Sequence, residues 1–188
     1  DMYFFPGAMA RAAIDAGIRA AVSINVIDFP TGYGSGPDDY IAKGLAAYHQ
    51  FKGEKLLDWT SAPHAPYTVS DETFIKLRKL AEEHDLQIHC HIHETAGEVA
   101  DSVKQYGMRP LARLEKLGLM SERLIAVHMV HLDEAEIAML AAKGVHLVHN
   151  PNSNLKLASG IAPVKALEAV GVNTVLGTDG AASNNRLD

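Results

Sequence analysis

The chain has 188 residues, 47% of them hydrophobic and 21% charged, and a formal net charge of -6 with its ten histidines neutral. This is enough apolar content for one sizeable core, and an acidic balance with no Lys/Arg block argues against nucleic acid as a partner. No apolar run approaches the roughly 20 residues that span a bilayer, and a single cysteine, Cys90, excludes an internal disulfide framework and fits a reducing, cytoplasmic setting.

Asp1 to Phe5 reads as a short aromatic strand end. Pro6 suits the first turn of a helix that is alanine-rich from Ala8 to Ala16 and stopped by Gly17. Ile18 to Ile27 is a mostly apolar strand, as expected when both faces are covered. PTGYGSGPDD is a turn-rich loop, after which Asp38 or Asp39 caps a helix to about Phe51. Leu56 to Ala62 forms the next strand and leads into PHAPYTVSDE, where Ser70 is a good N-cap for a helix ending near His84.

Gln87 to Thr95 reads QIHCHIHET, with histidines at every second position, His89, His91 and His93, and then Glu94. Residues two apart on a strand point the same way, so the pattern predicts a column of imidazoles ending in an acid. Helices follow from about Ala96 to Tyr106 and around Pro110 to Lys116. Leu124 to His128 is a strand ending in MVHL, Asp133 caps a helix stopped by Gly144, and Val145 to His149 is another strand. NPNSNLKLASG reads as a loop, Pro163 to Val170 as a short helix, and Asn173 to Thr178 as the last strand, ending in DGAASNN.

Strict strand–helix alternation predicts an α/β fold with a parallel sheet. His64, His91 with Glu94, His128, Asn150 and Asp179 all fall at the C-terminal ends of predicted strands. In a closed barrel those ends converge on one catalytic face, so the distribution favours a (β/α)8 barrel over an open sheet. Seven strands are counted where a closed barrel has eight. With no initiator methionine and no capping element in the closing SNNRLD, residues 1–188 read as the central part of one such domain. The start also lacks the charged and apolar regions of a signal peptide. A glycine-rich phosphate loop is absent, so no nucleotide cofactor is expected.

Read singly, these residues have bland alternatives. A carboxylate such as Asp179 can bind a metal, take a proton from water, or merely cap a turn. Of His128 and His131, one can meet substrate while the other bonds to loop backbone. Cys90 is a candidate extra ligand or a small core residue. His146 and His149 read as structural, and His49 and His84 as solvated helix residues. His64 sits between two prolines that rigidify its loop, which suits a substrate contact.

Five motifs, APHAPYTVS, HIHETAGEV, AVHMVHL, NSNLKLASGIAPV and GTDGAASNN, together resemble those of the amidohydrolase superfamily. More narrowly they resemble the 5-methylthioadenosine/S-adenosylhomocysteine deaminases of its cytosine-deaminase-like group, over essentially the whole chain and in family order. The resemblance implies a distorted (β/α)8 barrel with one zinc ion, although imidazole and carboxylate suit iron as well. It implies His91 as a metal ligand and Asp179 as ligand and base. Glu94 matches the acid that carries a proton to the purine ring nitrogen, His128 the histidine that polarises the attacking water, and His64 a purine contact. Ser183 and the stretch Asn154–Lys156 fall where the family lines its substrate pocket. The implied reaction is hydrolytic loss of ammonia from an adenosine-type nucleoside, and a homodimer is compatible with such barrels.

Two departures from the family pattern shape the expectation. The family takes two further ligands from an H-x-H pair on its first strand, which would lie upstream of Asp1, so this polypeptide alone is expected to bind zinc weakly and turn over little. There is also no arginine between Arg19 and Arg78 to grip a homocysteine carboxylate, only Lys43, Lys52 and Lys55. Methylthioadenosine or adenosine is therefore favoured over S-adenosylhomocysteine. The competing readings are a related hydrolase of a triazine, pterin or oxidised guanine, and a chain that binds without catalysis.

Overall fold

The computed structural model describes residues 1–186; Leu187 and Asp188, the last two of the SNNRLD ending, lie outside the described residues. The chain divides into two compact units, Asp1–His89 and Cys90 onward. In the first, helix α1 (Pro6–Ala16) precedes β1 (Ala20–Val26), then α2 (Pro37–Phe51), β2 (Leu57–Pro63), α3 (Asp71–His84) and the start of β3 (Gln87–Ile92). The second takes over within β3 and continues with α4 (Ala96–Tyr106), α5 (Pro110–Lys116), β4 (Leu124–His128), α6 (Glu134–Ala142), β5 (His146–His149), α7 (Pro151–Lys156), α8 (Val164–Ala169) and β6 (Thr174–Leu176).

Within each unit the strands pair in parallel and in chain order. β1 lies along β2 from Ala20 opposite Leu57 to Val26 opposite Pro63, and β2 meets β3 at Thr60 opposite Gln87. In the second unit Ile125 of β4 faces His146 of β5, and Leu147 of β5 faces Thr174 of β6. Parallel neighbours need a crossover, and here the helices supply it. The last five residues of both β1 and β2 are buried on both faces. One face carries Val22, Ile24 and Val26; the other buries Ser23, whose hydroxyl meets that of Thr60 at 2.7 Å.

The helix ends follow from local chemistry. Pro6 opens α1, and Gly17, at φ 68, closes it with its N–H on Ala13 and Ile14 carbonyls. Ser70 and Thr95 each accept the N–H three residues on, opening α3 and α4. Asp133 and Glu136 form a full capping box at α6.

Three expectations are corrected. Asp1–Phe5 is not a strand, so six strands, not seven, occur among the described residues. Its tie to β1 is confined to the chain start, where the Asp1 ammonium donates to the Ala21 carbonyl at 2.7 Å and the Ser23 hydroxyl donates to the Asp1 carbonyl. Helix α2 starts two residues earlier than a cap at Asp38 would set: Gly36 is the cap residue and Pro37 the first helical one, leaving both aspartates in the first turn. Within NPNSNLKLASG, Pro151–Lys156 is helix α7 with Asn150 at its cap position, not loop.

The histidine column is also shorter than its spacing suggests. β3 ends at Ile92, so only His89 and His91 share its half-buried face, while Ile88, Cys90 and Ile92 are buried on the other. His93 turns out of the strand at φ 55 and is fully buried. Its Nδ1 donates to the His131 carbonyl at 2.9 Å, and its Nε2 accepts the Leu111 N–H at 3.3 Å. This ties the end of β3 to the start of α5 and to the loop after β4. Arg109 closes the same cluster, gripping Glu136 through two bonds of 2.7 Å and donating to the His131 carbonyl. His93 is therefore a structural pin.

Two measurements test this packing. A Cβ on Gly44 of α2 would stand 2.4 Å from Cγ2 of Ile24 in β1. Overpacking of that kind costs about 1–3 kcal/mol, against a helix-propensity gain of up to about 1 kcal/mol, so Gly44→Ala is expected to lower the denaturant midpoint; an unchanged or raised midpoint would contradict the close approach. Burial pushes His93 down to about 4, against the pull of the Glu136 carboxylate. The folded value lies below the unfolded one, so the stability lent by neutral His93 is present above pH 6.5 and is lost as pH falls from there towards 4. The His93 ring resonances should hold the neutral form from about pH 8 down to about pH 5.5, and a midpoint near the ordinary histidine value would count against the pin.

Candidate active site

Four of the residues singled out from sequence, His91, Glu94, His128 and Asp179, belong to the second unit. His91 is the last histidine inside β3, and Glu94 follows the turn that ends that strand. His128 closes β4, and Asp179 lies three residues past β6. β3 and β4 stop where the backbone turns left-handed, and the loop after β6 turns left-handed at Asp179. His93 (φ 55), His128 (φ 76), Met129 (φ 48) and Asp179 (φ 61) make up four of the seven non-glycine residues at positive φ among the described residues. Such conformations are costly and cluster where a surrounding structure imposes them for function.

His128 is the meeting point. Its ring is 5.4 Å from that of His91, centroid to centroid. Its Nε2 stands 3.7 Å from Glu94 Oε2 and 3.9 Å from Asp179 Oδ2. Its Nδ1 donates to Asn154 Oδ1 at 2.8 Å, which fixes the ring and leaves Nε2 to face the two carboxylates. The ring is almost wholly buried, whereas both carboxylates are part-exposed. The site is thus open on the carboxylate side and closed behind the imidazole.

Helix α7 does much of the holding. Ser153 donates to Asp179 Oδ2 at 2.6 Å, and the Gly180 N–H donates to Oδ1 at 2.8 Å. Burial pushes the Asp179 carboxyl up, but these bonds, the nearby His128 charge and Ser183 outweigh it and hold the group below its ordinary value. One Asp179 oxygen thus caps its own turn while the other lies on the His128 side. Ser159 donates to Glu94 Oε1 at 3.3 Å. Ser183 is buried and bonds back to the Gly180 carbonyl, so it shapes the turn after Asp179. Asn154 is fully buried against His128, while Lys156 is exposed and reaches Asn185.

Sequence reasoning missed Ser153, Ser159 and Glu98. The first two sit within NPNSNLKLASG, read as loop. Asn at the cap position with Pro next is itself a helix-start signal, and it was available. Glu98 is buried on the first turn of α4 and accepts the backbone N–H groups of His93 (2.9 Å) and Glu94 (2.8 Å). Burial pushes its carboxyl up to about 7, against the two N–H donors that pull it down.

Other candidates take their blander roles. Cys90 is a buried core residue whose thiol burial pushes well above its ordinary value. His131 Nε2 bonds to the Ser159 carbonyl at 2.8 Å, and His146 pairs with Asn173. His149 is buried, and its pKa is lowered by that burial and then by the His128 charge. Asn150 lies buried against Gly177, where a Cβ would come 2.2 Å from its Oδ1.

In the first unit, His64 follows β2. Its N–H bonds to the Val26 carbonyl at 3.0 Å, and its Nδ1 meets the Thr68 hydroxyl at 2.9 Å. In this loop Ala65 and Pro66 are buried and Tyr67 is exposed beside the imidazole. Lys43 is committed to Asp39 and the Tyr33 carbonyl, and Lys52 lies over the Tyr48 ring.

The donor set can be weighed against a metal ion. Imidazole nitrogen and carboxylate oxygen are the donors zinc takes, and His91, His128 and Asp179 supply both kinds. Yet no group of three or more His, Cys, Asp or Glu among the described residues stands close enough together to hold an ion. A catalytic zinc takes three protein ligands. The donors fit in kind, and the described residues do not complete the set. No helix among them is long and apolar enough to cross a membrane.

Comparison with known proteins agrees with this picture. A 5-methylthioadenosine/S-adenosylhomocysteine deaminase from Saccharophagus degradans is 51% identical over 187 residues, covering 100% of this chain and 42% of the relative. A 5'-deoxyadenosine deaminase from Methanopyrus kandleri is 43% identical, covering 100% of this chain and 43% of its own length. The crystal structure of an adenosine deaminase from Xanthomonas campestris with bound zinc matches with a TM-score of 0.97 and 52% identity, over 100% of this chain and 43% of that one. The chain thus spans less than half the length of these relatives, and its fold is that of part of their barrel. With the amidohydrolase family pattern matched across residues 1–188, the chain belongs to the amidohydrolase family.

Proposed function

We propose that the protein is a hydrolytic deaminase of adenosine-type nucleosides, releasing ammonia from the amino-bearing carbon of the purine. The observation that carries this reading is the convergence of Glu94 and Asp179 on His128 Nε2, at 3.7 and 3.9 Å. The relatives' names support the substrate class, and the zinc of the Xanthomonas campestris enzyme supports the metal. In this reading His91 and Asp179 are metal ligands, and the bound ion lowers the pKa of water towards 7.

The chain's own residues divide the remaining work. Asp179, held ionised by Ser153 and Gly180, takes the proton of the attacking water. Glu94, entering protonated, hands that proton to the ring nitrogen beside the carbon under attack. The proton held by Asp179 then goes to the amino group, which leaves as ammonia as the C–N bond breaks, and the hydroxyl proton of the adduct restores Glu94. The Ser159 hydroxyl on its other oxygen steadies it. His128, with Nδ1 committed to Asn154, turns Nε2 toward the oxygen of the attacking water and, when doubly protonated, donates to that oxygen as negative charge develops on it. Ser183 shapes the turn after Asp179. No free arginine stands in the stretch between Arg19 and Arg78, and Lys43 there is already paired, so methylthioadenosine, 5'-deoxyadenosine or adenosine is preferred over S-adenosylhomocysteine. A cytoplasmic location agrees with the lone buried thiol of Cys90.

The test is ammonia release from methylthioadenosine, adenosine, guanine and a triazine, assayed on the chain as it stands and on a form extended to the length of the relatives. The extended form should act on the adenosine-type substrates alone. Asp179→Asn should cut that turnover by at least roughly 10²–10⁴-fold, the usual worth of a general base. Turnover retained in this variant would remove Asp179 as the base, and a preference for guanine or the triazine would remove the substrate assignment.

A further inference from the structure

Glu98 stands apart from the residues assigned above. It occupies the third position of α4, where a glutamate in a capping box turns back to the N–H of the cap residue itself. Glu136 does this in α6, accepting the Asp133 N–H at 3.0 Å. Glu98 reaches further. Thr95 caps its backbone N–H, but its carboxylate passes Thr95 and takes the two preceding N–H groups, one on each oxygen. Those N–H groups belong to His93 and Glu94, the turn in which β3 ends and His93 goes left-handed. Successive N–H groups of this kind form a concave anion site. Here the anion is a side chain of the same unit, buried to 8% exposure.

What this turn presents is the Glu94 side chain, whose carboxylate faces His128 Nε2. The turn is fixed from its other side by backbone bonds from Val130 and His131 to the His93 carbonyl. Its N–H side has the Glu98 carboxylate.

We propose that Glu98 is a positioning residue for Glu94: its two oxygens hold the successive N–H groups of His93 and Glu94 and so set where the Glu94 carboxyl stands opposite His128. Both oxygens must accept for the clamp to close. An amide of the same size keeps one acceptor and sets an NH2 group against the other N–H. Glu98→Gln therefore opens half of the clamp without changing side-chain volume. The kinetic consequence rests on the deaminase reading; the geometric one does not.

The experiment compares Glu98→Gln with Ser70→Ala, which removes a helix cap of ordinary kind at α3 in the first unit, in the form extended to the relatives' length. Three quantities are read: kcat and KM with methylthioadenosine, amide exchange at His93 and Glu94, and the ring signals of His128. Glu98→Gln should lower kcat by roughly 10–100-fold with KM within about two-fold, because a misplaced proton carrier spoils the transition state more than binding. It should also speed exchange at both amides and shift the His128 ring signals. Ser70→Ala should lose stability and keep kcat. A Glu98→Gln protein that melts earlier yet keeps kcat, amide protection and the His128 signals would reduce Glu98 to a cap and overturn the proposal. If the unsubstituted protein releases no ammonia, the deaminase reading fails, and the amide and ring signals alone decide whether Glu98 positions Glu94.

Discussion

A single buried imidazole organises the second unit. His128 is fixed at Nδ1 by Asn154 and presents Nε2 to two carboxylates from opposite ends of that unit's sequence, Glu94 and Asp179. Burying a polar ring costs free energy unless its polar atoms are met; helix α7 meets Nδ1 through Asn154, and the ends of β3 and β4 and the loop after β6 bring the two carboxylates to the Nε2 side. Each of these segments then has its own tie: Glu98 on the turn after β3, Ser153 on Asp179, Ser159 on Glu94. Left-handed backbone at His93, His128, Met129 and Asp179 is what this convergence costs locally.

Much of this was legible in the amino-acid order. Some helix starts were readable because caps act over three residues: Ser70 and Asp133 both cap as their side chains suggest. Strands were readable as apolar runs between turn signals. The key polar residues fell at strand ends, which is where parallel α/β folds gather chemistry. The five motifs carried the family, which the match across residues 1–188 bears out.

What was misread turned on where a period stops. The alternation of His89, His91 and His93 looks like one face of a strand, yet spacing does not reveal that the backbone turns left-handed at His93. Tertiary bonds to Leu111 and His131 settle that, and they lie far along the chain. NPNSNLK was taken for loop because asparagine and proline punctuate loops, and the same residues open a short helix when Asn is the cap. Asp1–Phe5 has strand composition, but its recorded backbone tie to β1 is at the chain start, and Phe5 turns left-handed before α1. Glu98 could not have been singled out: a glutamate three residues past Thr95 predicts a capping box, and its longer reach depends on the left-handed turn it holds.

The chain belongs to the amidohydrolase family, and a solved adenosine deaminase that it resembles carries zinc; the chain's own donors are of the right chemistry but incomplete among the described residues. The most direct measurement is therefore anomalous scattering at the zinc edge from crystals of the extended form grown with zinc. The account predicts one peak within about 2.0–2.2 Å of both a His91 ring nitrogen and an Asp179 oxygen. A well-occupied peak that leaves either residue out, or ordered His91 and Asp179 with no peak between them, would contradict it.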